Sequence, residues 1–112
     1  MHAELAGGRW GAMSLAEQMG NIGSEISRVI RWKNKGNYER MQGALERALE
    51  LIDLSIRWAQ RVDSRQAYPG AIRELCRLRE TVCDSYFGEN EYLSDDSGML
   101  RYFDQFALAI RR

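Results

Sequence analysis

The chain has 112 residues, 45% of them hydrophobic and 29% charged, which is the make-up of one globular domain. Sixteen basic and sixteen acidic residues cancel and only one proline is present, which excludes a chain-wide basic nucleic-acid footprint, a Pro-rich disordered chain and a collagen. No apolar run approaches the roughly 18 residues of a membrane span, so a membrane channel is excluded as well.

Residues 1–13 read as a flexible lead-in, because Gly7, Gly8 and Gly11 break any helix, and they lack the charged-then-apolar layout of a secretory signal. Residues 14–112 read as a single domain. The first helix is predicted over 14–34. Ser14 is its N-cap, with Glu17 at capping-box spacing. Leu15, Met19, Ile22, Ile26 and Val29 then alternate steps of four and three, which is one buried stripe. Beside it runs a strip of small residues, Gly20, Gly23, Ser24 and Ser27, read as a close approach of another backbone, with a ligand slot as the alternative. Gly36 and Asn37 end the helix.

The second helix is predicted over 37–64, about 40 Å long at 1.5 Å per residue. It carries one stripe of Met41, Leu45, Ala48, Ile52, Ser55, Ala59 and Val62, and a second of Ala44, Leu51, Leu54 and Trp58. The third spans 69–88, opened by Pro69 and closed by Gly88, with Ile72, Leu75, Cys76, Leu78, Val82, Cys83, Tyr86 and Phe87 as its apolar set. The fourth spans 95–111, capped by Ser94, with a stripe of Met99, Phe103, Phe106 and Ile110. No alternating run competes as a strand. The expected fold is all-α, a four-helix up-down-up-down antiparallel bundle. The two-sided second helix, with Trp10, Trp32 and Trp58 read as exposed, points to a homodimer.

Up-down topology gathers charge at the poles. Arg28, Arg31, Lys33, Lys35 and Arg40 surround the first turn, opposed only by Glu39. Glu80, Asp84, Glu89, Glu91, Asp95 and Asp96 surround the third connection. Mutual attraction of these ends is the expectation, with a cation or a basic partner on the acidic connection as the alternative. No EF-hand spacing is present there. Arg57, Arg61, Arg65, Arg73, Arg77, Arg111 and Arg112 converge on the opposite pole, where RNA binding is an alternative function.

Catalytic constellations are missing from the sequence. His2 is the only imidazole, so neither a Ser/His or Cys/His unit nor a Glu-x-x-His diiron pair can be assembled. No phosphate-cradling Gly-rich loop occurs. Cys76 and Cys83 lie seven residues apart, roughly 10 Å along a helix, too far for a disulfide. Two free thiols suit a reducing, cytoplasmic setting. The expectation is a non-catalytic binding protein without cofactor or metal. A metal-dependent enzyme using the acidic 80–96 region is the alternative.

The four antiparallel helices, the long second helix and the aromatic run Tyr102-Phe103-Asp104-Gln105-Phe106 resemble small prokaryotic bundle proteins of the HEPN (higher eukaryotes and prokaryotes nucleotide-binding) type, over about residues 14–112. Ribonucleases of that type use an Arg followed four to six residues later by His. Here Arg101 has no His after it, so the resemblance does not carry the nuclease over. It implies instead a dimeric bundle that binds a nucleotidyltransferase-like partner or a nucleotide.

Arg79 falls among Leu75, Cys76, Val82 and Cys83. Either it is buried and paired, with Asp53 ranked first among Asp53, Glu25 and Asp104, or it lies at the stripe's edge and snorkels to water. In the functional version, Arg79 and a carboxylate line a polar pocket inside the bundle that takes a small anion.

Overall fold

The structure is a computed structural model that describes residue 10 and residues 12–61, 70–87 and 96–110. Four helices make it up: α1 (Leu15–Asn34), α2 (Tyr38–Arg61), α3 (Ala71–Phe87) and α4 (Asp96–Ile110), with no strand among the described residues. The all-α expectation holds, and each helix ends within a few residues of its predicted limits. The proposed caps Pro69, Gly88 and Ser94 lie outside the described residues.

Local chemistry explains the best-defined ends. Ser14 Oγ accepts from the Glu17 amide at 3.1 Å, and the Ser14 amide donates to Glu17 Oε1 at 3.0 Å, so the capping box starts α1. At the other end Gly36 takes φ 73°, where a side chain would be strained. The Gly36 amide donates to Lys33 O at 3.0 Å and the Asn37 amide to Trp32 O at 2.9 Å. That is a Schellman ending. Asn37 immediately caps the next helix, its Oδ1 accepting from the Arg40 amide at 3.2 Å. A turn this tight forces α2 back along α1.

The stripe of α1 is buried throughout, at Leu15, Met19, Ile22, Ile26 and Val29. Of the two stripes of α2, Leu45, Ala48, Ile52, Ser55 and Ala59 are buried on one and Ala44, Leu51, Leu54 and Trp58 on the other, while Met41 is half-buried and Val62 lies outside the described residues. The second face needs no second subunit, because α2 packs against both α1 and α3, while α4 packs against α1. Trp58 and Trp10 are buried as well, at 4% and 2% exposure, which corrects their reading as exposed. Indole rings are large enough to have looked like interface residues. Here they fill the core of one chain, and only Trp32 is partly exposed.

Of the small-residue strip, Gly23 meets a close approach, by the Phe103 side chain rather than by another backbone. A Cβ there would stand 2.9 Å from Phe103 Cβ, so α4 lies against α1 with an aromatic side chain in the gap. Tyr102 meets the Phe103 ring edge-on at 5.4 Å, and its hydroxyl donates to Glu74 Oε1 at 2.7 Å, tying α4 to α3. Lys33, near the end of α1, holds its ammonium 5.5 Å from the ring centroid of Tyr86, near the end of α3. Those two helices end at the same pole, which is compatible with the up-down order.

A buried polar cluster fastens the residues before α1. Trp10 Nε1 donates to Ser55 Oγ at 3.1 Å, and Ser55 Oγ donates to Gln18 Oε1 at 2.8 Å. Gln18 Nε2 in turn donates to the carbonyls of Trp10 and Met13, each at 3.2 Å. Of the predicted lead-in, Trp10 is therefore held in the core, and residues 1–9 and 11 lie outside the described residues. Among the described residues, no helix is long and apolar enough to cross a membrane.

Candidate anion-binding site

The four residues singled out from the sequence do not share one pocket. Arg79 Nε donates to Asp53 Oδ1 at 2.8 Å, which forms the first-ranked pair. Its side chains are 44% and 42% exposed, so the pair lies on the surface between α3 and α2 rather than inside the bundle. The reason is the width of the α3 stripe. Ala71, Leu75, Leu78 and Val82 are buried, whereas Ile72 and Cys76 are exposed and Cys83 is half-buried. Arg79 stands on the outer margin with the two cysteines, and Nη1 reaches Cys83 Sγ at 3.9 Å. The Asp53 hydrogen bond and charge hold the Arg79 guanidinium protonated even more firmly than usual. Asp104 is exposed and makes no ion pair among the described residues.

Glu25 is buried, but its partners are Arg28 and Arg47, not Arg79. Arg28 Nη1 bonds Glu25 Oε1, one turn along α1. Arg47 Nε reaches across from α2 to Glu25 Oε2 at 3.1 Å. One carboxylate thus orients two guanidinium groups, and charge-assisted bonds of this kind are the strong ones.

Towards the turn the same helix pair forms a groove of about 260 Å³, lined by Trp32, Arg40, Gly43 and Arg47. The Arg40 guanidinium lies over the Trp32 ring, 4.8 Å from its centroid. The ammonium of Lys35 is 5.4 Å from the same ring. A cation–π contact of this kind holds an arginine head without using its N–H donors. Gly43 keeps the floor open: a Cβ there would meet Arg47 Nη1 at 3.5 Å. Among the described residues no carboxylate lines the groove, Arg40 has no side-chain acceptor, and Arg47 has only Glu25, through Nε. The arrangement suits an anion.

The charge run around the first turn is visible in the sequence, whereas Trp32 reads there as an exposed residue of a dimer face rather than as part of a site. Arg47 carried no sequence signal, since its role depends on Glu25 from the facing helix. Of the opposite, Arg-rich pole, Arg57, Arg61, Arg73 and Arg77 are exposed, and Arg65, Arg111 and Arg112 lie outside the described residues. Glu89, Glu91 and Asp95 of the acidic connection lie outside them too. Among the described residues, no three His, Cys, Asp or Glu side chains are grouped to hold a metal ion. No family model matches the chain, and neither a curated protein nor a solved structure matches it.

Proposed function

We propose that this protein is a non-catalytic binding module whose α1–α2 pole receives an acidic partner protein. One observation carries the reading: Arg40 and Arg47 are both held in place, by Trp32 and by Glu25, and both line a groove to which the described residues bring no carboxylate. Lys35 is exposed by the same Trp32 ring and extends the positive surface. Such a surface speeds encounter with an acidic face and selects against basic ones. A nucleotidyltransferase-like protein is the partner that the HEPN resemblance implies. The free thiols Cys76 and Cys83 favour a reducing cytoplasmic setting for the encounter.

Poly-L-glutamate serves as a test partner, with tryptophan fluorescence as the readout, because Trp32 is the one partly exposed indole among the described residues. Binding should weaken with added salt and should weaken in Arg40→Ala. Paired removal of Arg57 and Arg61, further along α2, should leave it unchanged. No binding, or equal loss from both sets of variants, refutes the reading.

A further inference from the structure

We propose that the groove between Trp32, Arg40, Gly43 and Arg47 is built for a phosphate monoester in its dianionic form. The inference rests on the reading of this pole as the binding surface and names the group that it takes. Three features select that chemistry.

Charge is the first. Arg40, Arg47 and Lys35 gather three positive charges at the groove, and the one negative charge behind it, Glu25, is shared between Arg47 and Arg28. A phosphate monoester carries about −1.5 to −2 at neutral pH, whereas a carboxylate or a phosphodiester carries only one charge.

Donor geometry is the second. Arg47 spends Nε on Glu25 and places Nη1 beside Gly43, on the groove side. Arg40 holds its guanidinium over Trp32 and has no side-chain hydrogen-bond acceptor among the described residues. Two oriented forks match the three terminal oxygens of a monoester, and bidentate arginine contacts are the usual way to hold them.

Size is the third. At about 260 Å³ the groove falls below the roughly 300–1,000 Å³ that houses a drug-sized ligand. It takes a phosphoryl group and the few carbons next to it, which the Trp32 edge can cover. A free metabolite and a phosphorylated side chain of a partner present the same group.

Titration calorimetry with methyl phosphate and dimethyl phosphate at pH 8 tests this directly. Methyl phosphate should bind saturably, and dimethyl phosphate, with one charge, roughly tenfold more weakly or worse. Arg40→Ala should weaken methyl phosphate binding roughly 10- to 100-fold. Gly43→Leu, which fills the floor without changing any charge, should abolish it while the helical circular dichroism is kept. O-phosphoserine and a phosphoserine peptide then separate the sources: the better binder of the two shows where the group is carried. Equal affinity for the two methyl esters overturns the proposal, as does full binding by Gly43→Leu. If poly-L-glutamate binds and methyl phosphate does not, the acidic-partner reading survives and this inference falls. If methyl phosphate alone binds, the reverse holds.

Discussion

Glu25 and Arg47 face each other across the α1–α2 hairpin, and each stands eleven residues from Gly36. Trp32 and Arg40 repeat the relationship at four residues on either side. Two antiparallel helices joined by a tight turn bring equidistant residues side by side. The Schellman ending at Gly36 and the Asn37 cap therefore set the register, and the register assembles the groove. Turn chemistry and site are one construction.

Glu25→Gln tests that construction. The amide keeps the shape, but its NH2 must face a guanidinium donor where an oxygen stood. Arg28 and Arg47 are 51% and 29% exposed, so water softens the penalty. A loss of about 1–2 kcal/mol is expected. It should appear in urea titration as a lower midpoint at unchanged slope.

The Arg79–Asp53 pair should matter far less. Both side chains are more than two-fifths exposed. Exposed pairs are worth about 0–1 kcal/mol. Arg79→Met should cost less than about 1 kcal/mol in the same titration, against the 3–5 kcal/mol of a broken buried pair.

These two carboxylates show what was legible in the sequence. Four-three spacing identified the core faces of α1 and α2 residue by residue, because burial follows helical period wherever a stripe is continuous. It also found Asp53 opposite Arg79. It did not tell how wide the α3 stripe is, since Cys and Ile occur on either side of a boundary, and so left Arg79 open between core and surface. Glu25 and Arg47 lie on different helices, and only the length of the turn between them decides that they meet. The Trp10–Ser55–Gln18 cluster was hidden for a related reason: three unremarkable polar groups become a site only when the chain before α1 folds back on α2.

Gly23 and Gly43 should respond oppositely to alanine. Both lie inside helices, where Gly costs up to about 1 kcal/mol relative to Ala. At Gly43 the new methyl meets only Arg47 Nη1 at 3.5 Å, so Gly43→Ala should stabilise the protein by about 0.5–1 kcal/mol. At Gly23 it meets Phe103 Cβ at 2.9 Å, an atom fixed close to the α4 backbone. Overpacking costs about 1–3 kcal/mol and outweighs the helix gain, so Gly23→Ala should destabilise. Thermal melts of the two variants, shifted to opposite sides of the parent, are the expected result.

Glu17 gives a prediction in acid. The Ser14 amide and hydroxyl region hold its carboxyl below the usual value of 4.5. A depressed carboxyl stabilises the fold at higher pH, and the contribution is lost as pH falls through the folded-state value. An NMR titration of the Glu17 side chain should give a midpoint under 4.5. A midpoint at or above it would show that the capping box does not favour the ionised form. The stability difference between the parent and Glu17→Ala should narrow over the same acidic window.

Ser55 sits at the centre of the polar cluster that fastens Trp10. Its hydroxyl accepts from the indole N–H at 3.1 Å and donates to Gln18 Oε1 at 2.8 Å, and all three side chains are at most 2% exposed. Ser55→Ala removes one oxygen and strands two groups in a place that water reaches poorly. A stranded buried donor or acceptor costs about 1–3 kcal/mol, so the variant should lose that order of stability. The loss should be partly local. With Ser55 gone, Gln18 Nε2 still holds the carbonyls of Trp10 and Met13, but the indole N–H loses its hydrogen bond and packing alone holds the ring. Acrylamide quenching of tryptophan fluorescence should therefore rise well below the global transition. Trp10→Phe in the Ser55→Ala background removes the stranded N–H and should cost less than it does in the parent. A double-mutant cycle then gives a coupling of about 0.5–3 kcal/mol between Trp10 and Ser55. Strict additivity of the two substitutions would mean that the hydrogen bond does not hold this segment in place.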